Sequence, residues 1–141
     1  MIYCTEPATR DDFNAVTDRG ADVSSSLYPV DLSHSCVMKD REGRVLGCGG
    51  VVQIFDGTAE AWAAFSEELL AHHKLSLTRI AKQMLAGWQE RGHFRRITAM
   101  TPQSDTHCAW LQVLGFQVEG VMPNFGPGAS GDWCVMGLLG E

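Results

Sequence analysis

Thiols, imidazoles and one strand-borne carboxylate are the groups of this chain that could do chemistry, and their spacing limits what each could do. His107 and Cys108 are the residue types of a thiol–base pair, which makes a cysteine nucleophilic. They are consecutive on an expected helix, and helical neighbours in sequence do not face each other. Cys108 is therefore read as core. His34 and Cys36 alternate on one face of an expected strand and could meet; packing is the simpler reading. His72 and His73 suggest metal ligands. Adjacent helical histidines diverge, however, and no Cys, His or Asp cluster stands at ligand spacing, so no metal is expected. Glu60 lies on an expected strand where Thr58, Glu60, Trp62 and Ala64 share one face, and Ala59, Ala61, Ala63 and Phe65 the other. A lone Glu near a strand start is normally a solvated edge residue. It becomes a candidate base only if it is buried.

The remaining residues narrow the class. The chain has 141 residues, the size of one domain, and residues 1–141 are read as one. A hydrophobic content of 45% suffices for a core, and 20% charged residues describe a soluble protein. No apolar run approaches the length of a bilayer-spanning helix, so membrane insertion is not expected. The first residues have neither a basic nor a long apolar stretch, so no signal peptide is expected. Net charge is -6. This disfavours nucleic acid, which needs a basic face. Arg91, Arg95 and Arg96 form the one local basic cluster and read as a solvated helix end and strand start. The five cysteines are odd in number and include no C-x-x-C, which suits reduced, buried thiols rather than a secreted disulfide framework. Trp62, Trp88, Trp110 and Trp133 fall at core-compatible positions, with Trp62 the best candidate for a ligand contact.

The elements that must position these residues follow from periodicity and punctuation. A strand is expected over 2–6. A capping-box pattern at Thr9 to Asp12 opens a helix that runs to about Arg19 and stops at Gly20. Residues 21–33, with Tyr28 before Pro29, read as a surface loop or short helix. Strands over 35–39, 44–55 and 58–66 form an antiparallel meander, joined by turns at 40–43 and at Asp56-Gly57, the strongest hairpin signal in the chain. Leu77, Ile80, Ala81, Met84, Leu85 and Trp88 recur at helical spacing, so that helix lays one face on the sheet. A strand over 95–100, a helix from Asp105, a stop at Gly115 and strands over 117–122 and 132–139 complete the chain. The glycine-rich stretch 124–131 cannot form a regular element. The fold class is α/β: a mixed, mostly antiparallel sheet of six to seven strands with helices on both faces.

This order resembles the GNAT N-acyltransferase superfamily over nearly the whole chain. The pieces that carry the resemblance are Arg44-Val-Leu-Gly-Cys-Gly-Gly, the helix end and strand at Gln89-Glu-Arg-Gly-His-Phe-Arg-Arg-Ile, and Trp110-Leu-Gln-Val-Leu-Gly-Phe before the next strand. The resemblance implies an acetyl-CoA cofactor. Its diphosphate would sit on a Gln/Arg-x-x-Gly-x-Gly/Ala loop, where backbone N–H groups reach the phosphates at a helix start. That loop falls on residues 72–77. The implied cofactor contacts are then Ser66, His72, His73, Lys74 and Ser76. Leu75 and Leu77 stand where glycines belong, Glu67 and Glu68 lie just upstream, and no glycine occurs between Gly57 and Gly87. Many members also carry a tyrosine acid four residues before the Leu-Gly-Phe glycine. Leu111 holds that position here, and Ser104 stands where an asparagine is frequent. Glu60 occupies a strand position where some members place a general base. Trp62 and Tyr28 would flank the substrate cleft.

Within that superfamily the layout resembles the GNAT-like internal virion protein of short-tailed phages and prophages, on Gly49-Gly50, residues 62–66, and the glycine-poor helix 78–89. This resemblance implies a degenerate acetyl-CoA site, a protein partner in virion assembly or infection, and a place in the host cytoplasm or the virion. The alternative is an active acetyl-CoA-dependent N-acyltransferase acting on an amine. Nucleic acid as substrate, as for an acyltransferase acting on charged tRNA, is disfavoured by the acidic charge.

Overall fold

The computed structural model describes residues 1–19, 23–24, 29–125 and 131–140. Strand β1 (Tyr3–Thr5) leads to helix α1 (Arg10–Thr17). The expected capping box is present there: Asp12 N–H donates to Thr9 Oγ1 and Thr9 N–H donates to Asp12 Oδ2, both at 3.0 Å. A two-residue strand β2 (Val23–Ser24) lies in the stretch read from sequence as a loop or short helix. The meander follows as β3 (His34–Lys39), β4 (Val45–Phe55) and β5 (Thr58–Phe65). Its last hairpin closes at Phe55↔Thr58 with Gly57 at φ +87°, a conformation that costs a residue with a Cβ.

Sequence periodicity missed a break after β5. Ser66 does not end the strand. It caps a short helix α2 (Glu67–His72) by accepting from Leu69 N–H at 3.2 Å, and α3 (Lys74–Arg91) begins after His73. Then come β6 (Arg96–Pro102), α4 (Asp105–Val113), β7 (Gln117–Met122) and β8 (Trp133–Leu139). Helix α4 opens on Ser104, which accepts from His107 N–H, and its C-terminal turn passes to Gly115 at φ +107°.

Seven strands run in the order β1-β3-β4-β5-β6-β8-β7, and β2 pairs with β5 off that path. All neighbours are antiparallel except β5 and β6, which are parallel. A parallel pair needs a crossover, and α2 with α3 supplies it. Both faces are covered. On one, Leu77, Leu85 and Trp88 of α3 pack with Ile97, Ala99 and Met136 of the sheet. On the other, Val16 and Phe13 of α1 pack with Val37, Cys48, Trp62 and Ala64. The alternation expected along β5 therefore holds. Ala59, Ala61 and Phe65 belong to the α3 face, Trp62 and Ala64 to the α1 face.

Candidate functional site

The site forms where the parallel pair fails. β5 and β6 are in register at three positions, Thr58↔Arg96, Ala59↔Ile97 and Glu60↔Thr98, and beyond these the strands no longer pair. The fork opens a cleft of about 1240 Å³ between the splayed strands, α3 and α4. Sequence accounts for the space. Gly49, Ala61, Ala63 and Ala99 line it from the sheet with almost no side chain. Opposite them stand Ile80 and Met84 of α3 and Leu111 of α4. All four tryptophans, Trp62, Trp88, Trp110 and Trp133, line the same cleft.

Glu60 is 2% exposed, which overturns its reading as a solvated edge residue. It sits on a central strand at the last closed pair, directly beneath the fork, and is not itself part of the cleft wall. Trp62, two residues on, is part of the wall. It is 3% exposed and its ring meets Phe13 edge-on at 5.7 Å. The indole N–H groups of Trp62 and Trp133 are buried and have no hydrogen-bond partner among the described residues. Tyr28, the other expected cleft residue, lies outside the described residues.

The residues expected around a diphosphate are dispersed. Ser66 and Lys74 line the cleft; His72, His73 and Ser76 do not. The hydroxyl of Ser66 is committed to its cap. The stretch read as a loop over 72–77 is the junction of two helices. His73 alone leaves helical geometry, its N–H donating to Leu69 O at 3.0 Å while its carbonyl accepts from Leu77 N–H at 2.8 Å. Leu69 and Leu77 are buried, and Leu69 packs against Gly47 and Phe65. Leu75 points outward at 75% exposure. Glu68 is held by Arg44 through two contacts of 2.7 and 2.8 Å, and Glu67 lines the mouth of the cleft.

Two features narrow the cleft from within the chain. β2 pairs antiparallel with the edge of β5 that the fork frees, at Val23↔Ala64 and Ser24↔Ala63. Trp110 of α4 crosses to α3, donating from Nε1 to Thr78 Oγ1 at 2.9 Å. Its ring meets Phe65 edge-on at 6.0 Å and lies under the Lys74 ammonium at 5.8 Å. The edge of β5 is paired at those two positions, and the stretch expected to be a diphosphate loop is helical and without glycine, although the start of α3 at His73 carries no side-chain cap.

His107 and Cys108 have separate partners, as their adjacency on a helix predicts. Cys108 Sγ lies 3.7 Å from Cys134 Sγ. His107 lines the cleft, with Nδ1 2.7 Å from Ser104 Oγ. The signal was present in the spacing, because His107, Leu111 and Leu114 share one helical face and all three line the cleft. His34 likewise meets Phe94 at 5.5 Å, whereas Cys36 pairs with Cys4. That hydrogen bond from Cys36 pulls the Cys4 thiol down to about 7 against burial and Glu6, and it raises Cys36, with burial adding to the rise. Burial, with Asp12 adding to it and Lys39 opposing, pushes Cys48 up to about 12. In the arginine cluster, Arg91 pairs with Glu6 at 3.1 Å and Arg96 with Glu119. Among the described residues no group of three or more His, Cys, Asp or Glu could hold a metal, and no helix is long and apolar enough to cross a membrane.

No family model and no curated protein matches the sequence. Solved structures do match. A spermidine N-acetyltransferase from Vibrio cholerae superposes with a TM-score of 0.71 at 13% identity, covering 99% of this chain and 94% of that one. An acetyltransferase of the GNAT family from Bacillus anthracis gives 0.62 at 17% identity, over 76% of this chain and 66% of its own. A GNAT superfamily phosphinothricin acetyltransferase from Sinorhizobium meliloti, solved in complex with acetyl-CoA, gives 0.59 at 23% identity, over 92% and 66%. Likeness at these identities establishes the fold: this chain has the GNAT fold.

Proposed function

We propose that this chain is a GNAT-fold protein that has given up the acetyl-CoA diphosphate site and acts through contact with another protein, in virion assembly or infection by a phage or prophage. The observation that carries this reading is the α2–α3 junction. Where a diphosphate loop would carry glycines, Leu69 and Leu77 are buried and His73 makes both of its own hydrogen bonds within the helices. The paired edge of β5 supports the same reading, since it removes a second backbone surface from the cleft. The phage assignment rests on the layout around Gly49-Gly50 and the helix that follows. The test is calorimetric titration of the full chain with acetyl-CoA and with CoA. No heat of binding at millimolar ligand is the expected result, together with recovery of the protein from purified virions. Micromolar binding of either ligand would overturn the reading.

A second reading, acyl transfer to an amine, is favoured by one observation: His107 stands on the cleft wall and Glu60 is buried beneath the fork. It requires that thiol be released from acetyl-CoA in the presence of an amine and that Glu60→Gln abolish the release. Fold alone does not decide between the two.

A further inference from the structure

We propose that Cys108 and Cys134 are a redox-sensitive pair: oxidation by a small-molecule disulfide joins them in an internal disulfide that staples α4, a wall of the cleft, to β8. The inference goes beyond the assembly reading and does not depend on it.

Geometry selects this pair among the five thiols. The two sulfur atoms are already in contact, at 3.7 Å, across 26 residues of chain. Cys134 lies in the middle of the sheet, opposite Thr101 of β6 and Val121 of β7, so its backbone is held from both sides. Cys108 sits on α4, packed against the core and part-exposed. Closing the remaining distance to a bond, roughly 1.7 Å, therefore falls to the helix. Cys4 and Cys36 also meet, but Cys4 stands opposite Met38, so theirs is a diagonal pairing on the ladder. Diagonal partners lie about 7–8 Å apart, beyond the usual Cα span of a disulfide. Cys48 belongs to the core on the α1 face, away from the others.

Exposure sets the order of events. The Cys108 thiolate, on the part-exposed side of the pair, attacks one sulfur of the oxidant, whose S–S bond breaks and releases one thiol. Cys134 then attacks the Cys108 sulfur and expels the second thiol. One S–S bond breaks and one forms, and the two protons of the protein thiols leave on the two released thiols. Burial, and after it Cys108, pushes the Cys134 thiol up, so the second step quickens as pH rises. The consequence reaches the cleft. His107, Trp110 and Leu111 of α4 line it, and Trp110 bonds to Thr78 of α3. With Cys108 bonded to β8, that wall is fixed covalently to the sheet.

The experiment exposes the folded, reduced full chain to glutathione disulfide, blocks the remaining thiols with iodoacetamide and digests without reduction. Trypsin leaves both cysteines in the one peptide that follows Arg96, and a second cleavage after Glu119 parts them. The expected product is that peptide, short of two hydrogens, whose halves stay joined after cleavage at Glu119 and separate with dithiothreitol. Oxidation is expected to raise the unfolding temperature by about 5–10 °C, the scale of a disulfide that closes a loop of this length. Cys134→Ser is expected to stop at a glutathione adduct on Cys108 and to lose that rise. The proposal is overturned if both thiols are recovered alkylated, if wild-type Cys108 keeps the glutathione adduct, or if the bond forms only in urea. A bond that leaves the unfolding temperature unmoved overturns the staple. Should Cys134→Ser fail to fold, the wild-type peptide map and unfolding temperature decide alone.

Discussion

The two ends of the β5–β6 pair are built from the same two strands and behave as different materials. At the closed end, Ala59 and Ile97 are fully buried side by side, and Arg95 lies over Gly57 at 2.8 Å from where a Cβ would stand. At the open end, residues of the same strands face a cleft, and the chain fills the freed edge of β5 with β2 and spans the gap with Trp110. The lesson concerns residue size. Closed packing and a hollow alternate within two residues on one face of one strand: Ala59 is fully buried, while Ala61 packs on the core with one side and lines the cleft with the other.

The sharpest way to break this contrast is a matched truncation. Ile97→Ala at the closed end is expected to cost about 2–5 kcal/mol, and Ile80→Ala on the cleft wall below about 1 kcal/mol, both read from urea unfolding midpoints at constant slope. Equal losses would mean that the cleft wall is packed like the core. The reverse substitution comes next. Ala59→Leu is expected to cost about 1–3 kcal/mol through overpacking, while Ala61→Leu changes stability by no more than about 0.5 kcal/mol. A large loss at Ala61 would close the cleft on paper. Smaller still is the tie across it: Trp110→Phe keeps the ring and removes the bond to Thr78, for an expected cost of about 0.5–1.5 kcal/mol in the same assay.

The last prediction leaves stability untouched and uses the thiols of the continuous half of the sheet as reporters. The thiolate is the reactive form, so alkylation of Cys4 is expected to rise with pH through a midpoint near 7, while Cys48, held near 12, stays unreacted in the folded chain. Mass spectrometry after a short pulse of iodoacetamide at pH 8 should find Cys4 labelled and Cys48 bare. Equal labelling would show that this half opens as freely as the cleft side.

Much of the frame was legible in the residues. The capping box at Thr9, the Asp56-Gly57 hairpin, the meander and the stop at Gly115 are local signals with local causes, and the structure honours each. The alternation on β5 also gave the correct two faces. What sequence could not supply was depth. Glu60 reads as an edge carboxylate until its strand is known to lie between β4 and β6. β2 is two residues long and exists only because β5 has an edge to offer, so no periodicity announces it. His107 shows its place only beside Leu111 and Leu114, one and two turns on, and not beside its chain neighbour Cys108. The missing glycines, by contrast, were a statement about composition, and no uncertainty of register could restore them.

The three-pair seam between β5 and β6 has a mechanical consequence. It is the only strand ladder joining the β1-β3-β4-β5 leaf to the β6-β8-β7 leaf among the described residues. Turning one leaf against the other about that short spine breaks no other ladder, so the resistance comes from side-chain packing, above all the single core in which Leu77, Leu85 and Trp88 of α3 join residues of both leaves. The lever is long compared with the spine. From Glu60 to Phe65 the arm is roughly 16 Å at the usual rise per strand residue, so a rotation of about 5° carries its tip roughly 1.4 Å. The bond from Trp110 to Thr78 adds to that resistance across the gap, where the lever is longest.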